Sequence, residues 1–421
     1  MFDIFSLPAV NMPEGFLWGA GYAGHQVEGN NIHSQRWAWE EAGKYEEKSG
    51  MACNSYELWE RDVEIAVECG LQAFRTSVEW SRIEPHEGEF CKEALDHYVR
   101  FFATLKEKGI KVFATMVHFT EPLWFTEKGS FENTENLHCF ERYLDYVVPA
   151  IAPYVDFWNV INEFNLRAPK FKLGSLKYHA LGYHTIKKYS DKPVSSAHAL
   201  VMYAPKRPRD TFDRVMADYN DLCNHEFFFH GIRTGEIVFP HTNGELYPDL
   251  KGTADFWSVN TYVRDVIDAR KPNTKGTRYD FARMKMIDKD FYLEEFNPEC
   301  ILTNLGRLHD KPIYITENGV ACKDDRFRIV FLAEYLSAIQ EAMRFGADVR
   351  GYLYWSMLDN FEWGSFKPTF GLYGVDRQTF ERTAKPSAAF YREIIENNGL
   401  NADLIAKYLK EMPSLRKPEI L

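Results

Sequence analysis

Short apolar segments that resemble buried β-strands recur eight times along the 421-residue chain, and helical stretches separate them. Apolar residues at helical spacing, such as Leu95, Tyr98 and Phe102, mark these stretches, and a glycine such as Gly109 follows them. Repeated strand-then-helix units require parallel strands with right-handed crossovers. Eight units predict a closed (β/α)₈ TIM barrel of the α/β class rather than an open sheet.

The predicted strands are rich in β-branched and aromatic residues and are bounded by turn residues. They cover residues 16–20, 71–75, 110–117, 157–163, 193–200, 255–262, 312–317 and 349–355. Neither repeats nor low-complexity linkers divide the sequence, so we expect one domain over residues 1–421 with an irregular C-terminal tail at about 401–421. Residues 264–290, rich in Lys and Arg, are expected to form an excursion, such as a hairpin, above the barrel.

Two of the predicted strands end in a carboxylate. The run that begins at Phe157 ends in Asn162-Glu163, and the run that begins at Ile313 ends in Thr316-Glu317. The carboxyl ends of parallel strands meet at one face of a barrel, which is where such folds carry their chemistry. A single carboxylate at a strand end is usually a solvated side chain without a catalytic role. Two with the same setting predict a site built from paired carboxylates.

Further polar and aromatic residues fall at the same predicted rim. A single arginine there commonly makes an ion pair, and a single histidine or tryptophan is commonly a core residue. As a set, they supply the hydrogen-bonding groups and indole faces that suit a neutral, polyhydroxylated ligand. The members are Gln26, Arg75, His118, Asn162, Asn260, Tyr262, Trp355 and the segment 359–363 with Glu362 and Trp363.

Paired carboxylates at one mouth favour cleavage of a glycosidic bond, in which one acid protonates the leaving oxygen and the other attacks or activates water. One carboxyl must then keep its proton near neutral pH while the other is ionised, so their pKa values must differ. Arg75 and Tyr262 are the neighbours expected to keep Glu317 anionic. Asn162 is expected beside the sugar hydroxyl next to the reacting carbon.

From residue 16 to about residue 376 the sequence resembles the family 1 glycoside hydrolases, which are retaining β-glycosidases on a (β/α)₈ barrel. The matching motifs cover residues 16–19, 26–29, 74–75, 80–83, 115–118, 162–163, 260–262, 315–319, 355–356 and 359–363. The resemblance implies that Glu317 is the nucleophile and Glu163 the acid/base. It also implies that the terminal sugar is bound by Gln26, His118, Asn162, Trp355, Glu362 and Trp363, with Arg75, Asn260 and Tyr262 in support.

The resemblance further implies an exo-acting enzyme that hydrolyses terminal, non-reducing β-linked sugars by double displacement through a covalent glycosyl-enzyme, without cofactor or metal. Glucosides, galactosides, mannosides and fucosides all remain open as substrates. Two departures from the family pattern affect the sugar and leaving-group sites: Phe164 follows Glu163 where proline is common, and Phe119 follows His118 where tryptophan is common. The stretch between Glu163 and Asn260 also looks shorter than usual.

The net charge of −11 argues against nucleic acid as a partner, because an acidic protein lacks the basic surface that neutralises phosphates. A small neutral glycoside is the expected partner.

No apolar run is long enough for a transmembrane helix, and the N-terminus lacks the features of a signal peptide. Seven irregularly placed cysteines predict no disulfide framework and favour a reducing cytoplasm. Apolar spacing in the tail permits packing on the barrel or on a second copy in a homo-oligomer.

Three other functions are compatible with parts of the sequence. A 6-phosphoglycosidase of the same family is expected to lack Glu362, which is present, although Lys367 is retained. A sugar-binding protein without turnover is expected to lack one of the two carboxylates. A nicotinamide enzyme is suggested by Gly19, Gly21 and Gly24, which match a dinucleotide-binding pattern, but the residues that follow show no helical periodicity. Stabilisation by NAD in a thermal melt would support this last function.

Overall fold

The structure is a computed structural model that describes residues 4–271, 296–411 and 413. Eight parallel strands close into a barrel in sequence order, which confirms the predicted (β/α)₈ architecture. Each predicted strand is present, with bounds shifted by no more than two residues. The strands are β1 Leu17–Gly21, β2 Ala73–Ser77, β3 Lys111–Val117, β4 Phe157–Asn162, β5 Val194–Ala199, β6 Trp257–Asn260, β7 Ile313–Asn318 and β8 Val349–Trp355.

Helices follow every strand and pack around the barrel. They are α1 Trp59–Glu68 after β1, α2 Lys92–Glu107 after β2, α3 Leu137–Ile151 after β3, α4 Pro169–Tyr189 after β4, α5 Thr211–Asp221 and α6 Phe227–Thr234 after β5, α7 Cys300–Leu305 after β6, α8 Asp325–Arg344 after β7, and α9 Pro386–Glu396 and α10 Ala402–Tyr408 after β8.

Shorter elements decorate this frame. Four are short α-helices, at Gly24–Val27, Gln35–Glu41, Trp80–Ile83 and Leu123–Glu127. Four are two-stranded pairs: Val10–Asn11 with Gly399–Leu400, Met202–Pro205 with Arg264–Ile267, Glu236–Ile237 with Glu245–Leu246, and Tyr373–Val375 with Arg382–Ala384. The strand Arg264–Ile267 begins the predicted excursion, and residues 272–290 of that excursion lie outside the described residues.

The glycines expected to end helices adopt left-handed conformations. Gly70 after α1 has φ 68°, Gly109 after α2 has φ 76°, and Gly346 after α8 has φ 99°. A side chain is unfavourable in this conformation, so glycine is the residue best suited to end a helix there. These glycines therefore set where each helix returns towards the next strand.

Aromatic residues fill the end of the barrel that lies opposite the carboxyl ends of the strands. Phe113 of β3 stacks on Phe157 of β4 with 4.2 Å between ring centroids. Tyr314 of β7 lies 4.8 Å from Phe157, and all three side chains are buried. Burying a side chain of this size stabilises a fold by roughly 1.5–3 kcal/mol. This end is therefore packed as core, and the polar chemistry is at the other end.

The glycines of the dinucleotide-like pattern are required by the packing of β1 against β2. A Cβ atom at Gly19 would lie 2.4 Å from the carbonyl oxygen of Ala73, and one at Gly21 would lie 2.5 Å from that of Arg75. The sequence after these glycines shows no helical periodicity, but the structure has a single helical turn there, Gly24–Val27, so the expectation that no helix follows was wrong. That single turn carries Gln26 towards the barrel mouth.

The tail is more ordered than the sequence indicates. Helix α10 lies within it, with Leu404 and Ile405 buried, so the prediction of an irregular segment was wrong for residues 402–408. Lys407 forms an ion pair of 2.7 Å with Glu393 of α9, and Tyr408 packs against Phe390 of the same helix. The helix thus packs on the body of the protein. Residues 412 and 414–421 lie outside the described part of the chain.

Two further expectations concern membranes and cysteines. Within the described residues, no helix is both long enough and apolar enough to cross a membrane. All seven cysteines are described, and each is a free thiol. The absence of a disulfide framework was predicted from their irregular spacing.

Candidate active site

The two predicted glutamates reach one cavity at the carboxyl end of the barrel. Glu163 follows β4 directly, and Glu317 lies within β7; both line a cavity of about 240 Å³. Their exposed fractions are 8% and 4%, so both carboxyl groups are largely removed from solvent. Two ionisable groups in this setting are costly unless they are neutralised or hydrogen-bonded. Their surroundings therefore decide the protonation state of each.

Both carboxylate oxygens of Glu317 accept hydrogen bonds from the predicted partners. Tyr262 donates its hydroxyl to Oε2 at 2.7 Å, and the guanidinium of Arg75 forms a buried ion pair with Oε1. A charged donor and a phenol thus hold the two oxygens of this side chain in position. The expectation that Arg75 and Tyr262 contact Glu317 is confirmed by these hydrogen bonds.

Two asparagines join Glu163 to the same network. Asn260 donates Nδ2 to Oε1 of Glu163 at 2.9 Å and to Oδ1 of Asn162 at 3.0 Å. Arg75 also donates to Oδ1 of Asn162 at 2.6 Å. One guanidinium and two amides thus fix the ends of β4, β6 and β7 relative to one another.

The backbone at Glu163 departs from the strand that precedes it. Its φ is 48°, in the left-handed region that residues with side chains rarely adopt. Conformations of this kind cost of order 1–3 kcal/mol and cluster at functional sites, where the surrounding structure maintains them. Here the backbone nitrogen of Glu163 donates to the carbonyl oxygen of Ala197 in β5 at 2.7 Å, which holds the turn.

The electrostatic surroundings differ between the two glutamates. Burial, followed by the charge on Glu317, raises the pKa of Glu163 from 4.5 to about 8. Among the described residues, none forms an ion pair with Glu163 comparable to the one that Arg75 makes with Glu317. A carboxyl whose protonated form is favoured thus lies in the same cavity as a carboxyl that is paired with a cation, as glycosidic cleavage requires.

Gln26 and Glu362 meet on another side of the cavity, although they are far apart in sequence. Gln26 donates Nε2 to Glu362 and to Asn360, each at 3.1 Å. Burial, followed by the charge on Glu317, raises the pKa of Glu362 to about 8. The buried Oε1 of Gln26 has no hydrogen-bond partner in the described part of the chain, so it is free to accept a bond from a ligand hydroxyl.

Three rings stack along the cavity wall. The ring of His118 lies 5.8 Å from Trp355 and 6.0 Å from Trp363, with planes within 14° of parallel in both cases. Burial, followed by the charge of Arg75, lowers the pKa of His118 well below its usual value, so the imidazole is neutral. Its Nε2 lies 3.2 Å from Nδ2 of Asn162, which can only donate. Nε2 is therefore the acceptor, and the proton is on Nδ1.

All the site residues predicted from the sequence converge here. Eight of them line the cavity: His118, Glu163, Asn260, Tyr262, Glu317, Trp355, Glu362 and Trp363. The remaining three, Gln26, Arg75 and Asn162, hydrogen-bond to those that do. The one group of potential metal ligands in the described residues, Glu87, His138 and Cys139, does not line it.

Sequence reasoning missed several residues of this site. The guanidinium of Arg36, which the sequence did not single out, lies 4.8 Å from the ring of Trp363. Leu166 and Phe370 line the cavity but carry no polar group that would single them out in a sequence. Only Phe119 left a signal, as a departure from the family pattern, and its ring packs edge-on against Trp363 at 5.1 Å.

Comparison with known proteins supports the same interpretation. The model of glycosyl hydrolase family 1 matches residues 9–220 and 172–400 of the chain. A β-galactosidase from Pyrococcus woesei is 28% identical over 94% of this chain and 99% of that protein.

Solved structures of the same kind superpose closely. A β-glycosidase from Pyrococcus horikoshii is 32% identical, with a TM-score of 0.84 over 95% of this chain and 98% of that one. A family 1 β-glucosidase from Thermotoga maritima is 26% identical, with a TM-score of 0.85 over 93% of this chain and 99% of that one. The similarity thus extends over nearly the whole chain in each case.

Proposed function

The chain belongs to glycosyl hydrolase family 1 and is a glycoside hydrolase, and from this membership we propose that it hydrolyses terminal, non-reducing β-linked sugars with retention of configuration. The observation that carries the proposal is the unequal environment of the two glutamates at one cavity. Glu317 is paired with Arg75, whereas burial favours the protonated form of Glu163.

In the first step of the proposed mechanism, an oxygen of Glu317 attacks the anomeric carbon while Glu163 gives its proton to the glycosidic oxygen. The bond from the anomeric carbon to the leaving oxygen breaks as the ester bond to Glu317 forms. The leaving group departs as an alcohol. Tyr262 and Arg75 hold the attacking carboxylate in position, since each contacts a different oxygen of it.

In the second step, Glu163, now ionised, removes a proton from water as the water oxygen attacks the anomeric carbon. The ester bond to Glu317 breaks, and the sugar leaves with its original anomeric configuration. Both glutamates return to their starting states, with the proton on Glu163. Asn260, hydrogen-bonded to Glu163 and Asn162, is proposed as a positioning residue for these steps.

We propose that the terminal sugar lies against Gln26, Glu362 and Trp363, with His118 and Trp355 beside it. The partnerless Oε1 of Gln26 and the carboxyl of Glu362 are suited to adjacent hydroxyl groups. Both residues are buried, and this burial supports exo action. Glucosides and galactosides both remain candidate substrates, and the relatives named above include a β-galactosidase and a β-glucosidase.

The proposal is tested with p-nitrophenyl β-glycosides of glucose, galactose, mannose and fucose, compared by kcat/KM. For the best substrate, NMR of the first-formed sugar should show the β-anomer before mutarotation. The α-anomer as first product would contradict retention, and turnover of none of the four glycosides would contradict the proposed activity.

The pH dependence should report the proton on Glu163. Because the protonated form is the active acid, kcat/KM for an unactivated aryl β-glycoside should fall as pH rises through about 8. Glu362 also has a raised pKa, so two variants separate the two groups. Glu362→Gln should keep this basic limb at lower activity, whereas Glu163→Ala should lose it. If the fall in kcat/KM at basic pH persisted unchanged in Glu163→Ala, the group that titrates would be one other than Glu163.

The 6-phosphoglycosidase alternative receives little support. Lys367, the residue retained from that pattern, is exposed and forms an ion pair of 2.6 Å with Glu46. Its ammonium group is therefore already neutralised, and Glu362 remains in the cavity. A neutral terminal sugar fits these contacts better than a phosphorylated one.

We also propose a cytoplasmic location and a single catalytic domain, both carried over from the sequence. The free state of all seven cysteines supports a reducing compartment. A homo-oligomer stays a prediction, which size-exclusion chromatography with light scattering would test.

A further inference from the structure

Arg167 lies beside the cavity on the side of Glu163. Its guanidinium is 5.0 Å from the ring of Phe119 and 5.4 Å from that of Phe171. Phe119 lines the cavity of the two glutamates and also an adjoining cavity of about 210 Å³, which Arg167 and Asn162 line as well. Phe119 thus lies between the two cavities, and Arg167 lies on the side of the adjoining one.

The side of Glu163 is where the leaving group departs. Glu163 is the group proposed to protonate the leaving oxygen, whereas Gln26 and Glu362 are proposed to hold the sugar. Leu166 lines the main cavity next to Glu163, and Arg167 follows it in the chain. A leaving group that extends from Glu163 along the ring of Phe119 would therefore approach the guanidinium of Arg167.

Unlike three other arginines near the barrel mouth, Arg167 forms no ion pair with a carboxylate among the described residues. Arg75 pairs with Glu317, Arg82 with Glu28 and Arg382 with Asp62. Across residues 4–271, 296–411 and 413, no carboxylate lies within ion-pair distance of Arg167, and the same holds for Arg36. A half-buried cation without a counter-charge is costly, and most such groups in folded proteins are paired.

The groups around Arg167 leave a net positive charge. Burial, followed by repulsion from Arg36, lowers the pKa of Arg167 to about 10, so it remains charged at neutral pH. Arg36 donates to the hydroxyl of Tyr45 at 2.7 Å, which brings no negative charge. The acid nearby is Glu121, whose oxygens accept hydrogen bonds from the hydroxyls of Thr126 and Ser130.

Glu121 offers only limited compensation to the two arginines. Burial raises the pKa of its carboxyl. Its side chain contacts hydroxyls rather than either guanidinium. An anionic group on a ligand would supply the counter-charge that no described residue pairs with Arg167.

We propose that Arg167 selects substrates whose leaving group carries an anionic substituent, such as a carboxylate, on an aromatic ring that packs against Phe119. This inference rests on the proposed function and names the substrate class of the same site. Guanidinium groups recognise carboxylates and phosphates through paired hydrogen bonds, so a phosphate- or sulfate-bearing leaving group belongs to the same chemistry.

The test compares carboxyphenyl β-glycosides with their neutral carbamoylphenyl isosteres, in the 3- and 4-positions, on the sugar that the wild-type protein prefers. For the better-placed isomer, we expect kcat/KM to favour the carboxylate by about 10-fold or more, as a hydrogen bond to a charged group supplies. Arg167→Gln should reduce this ratio to near 1, and Arg167→Lys should restore part of it. The ratio should also fall as NaCl is added, because salt screens the attraction.

Arg350→Gln is the matched control. Arg350 lies near the amino end of β8, at the opposite end of the barrel, and forms an ion pair with exposed Asp348. The variant therefore removes one positive charge away from the site. The ratio of kcat/KM for the carboxyphenyl glycoside to that for the carbamoylphenyl glycoside should be the same in Arg350→Gln as in the wild type.

Two outcomes separate the inference from the proposed function. If the neutral carbamoyl glycosides are hydrolysed but the ratio is the same in wild type and Arg167→Gln, the role of Arg167 is wrong while the activity stands. If neither glycoside is hydrolysed by the wild-type protein, the proposed activity itself fails. Should Arg167→Gln not fold, an insensitivity of the wild-type ratio to NaCl would overturn the inference.

Discussion

Replacing Glu317 with glycine should abolish hydrolysis of an aryl β-glycoside, lowering kcat by roughly 10⁴-fold or more, as removal of a covalent nucleophile does. The physical reason is that no other described group at the cavity is a carboxylate held by both Arg75 and Tyr262. Sodium azide should restore part of the turnover of an activated substrate. The small anion occupies the space left by the side chain and attacks the anomeric carbon from the same face.

The configuration of the azide product is the decisive measurement for Glu317→Gly. Attack from the side of the missing carboxylate gives the α-glycosyl azide, which NMR distinguishes from the β-anomer. The wild-type protein with azide is the control, and it should release the sugar rather than the α-azide. Unchanged activity without azide, in a variant with a cooperative thermal transition, would refute the role of Glu317.

Replacing Glu163 with alanine should slow hydrolysis according to the leaving group. For phenyl β-glycosides, whose oxygen needs a proton to depart, we expect kcat/KM to fall by about 10²–10⁴-fold, the usual contribution of general acid catalysis. For 2,4-dinitrophenyl glycosides the fall should be much smaller, because that leaving group departs without protonation. For these, the second step should become rate-limiting.

Glu362→Gln serves as the matched control for Glu163→Ala. It also changes a buried carboxyl with a raised pKa at the same cavity, but one proposed to bind the sugar. Its effect should be similar for good and poor leaving groups. Equal slowing of phenyl and dinitrophenyl substrates by Glu163→Ala would argue against an acid role for Glu163.

Much of the fold could be predicted from sequence because its signals are local. Alternation of apolar runs with helical spacing identified eight strands, and glycines such as Gly109 marked helix ends that the structure confirms. Glu163 and Glu317 stood out because polarity begins abruptly where each strand ends. Closure of a parallel barrel then brings all such ends to one face, whatever their separation in the chain.

Contacts between residues that are distant in the sequence were harder to predict. The role of Gly19 as a packing residue depends on the carbonyl of Ala73 in the neighbouring strand, so the local pattern suggested a nucleotide site instead. The tail was expected to be irregular, with apolar spacing that left packing on the barrel or on a partner open, whereas its residues 402–408 form helix α10 and contact Phe390 and Glu393 of α9. In both cases a partner in another element decided the outcome.

The sequence by itself determined the barrel and the two glutamates, since strand periodicity and the position of a residue at a strand end are properties of short segments. Only the tertiary structure decided that Asn260 serves Glu163, that Gln26 meets Glu362, and that Arg167 has no carboxylate partner among the described residues. Hydrogen bonding, burial and charge compensation depend on which side chains converge in space. Convergence is set by how the strands register and where the loops fold back, which a linear pattern does not specify.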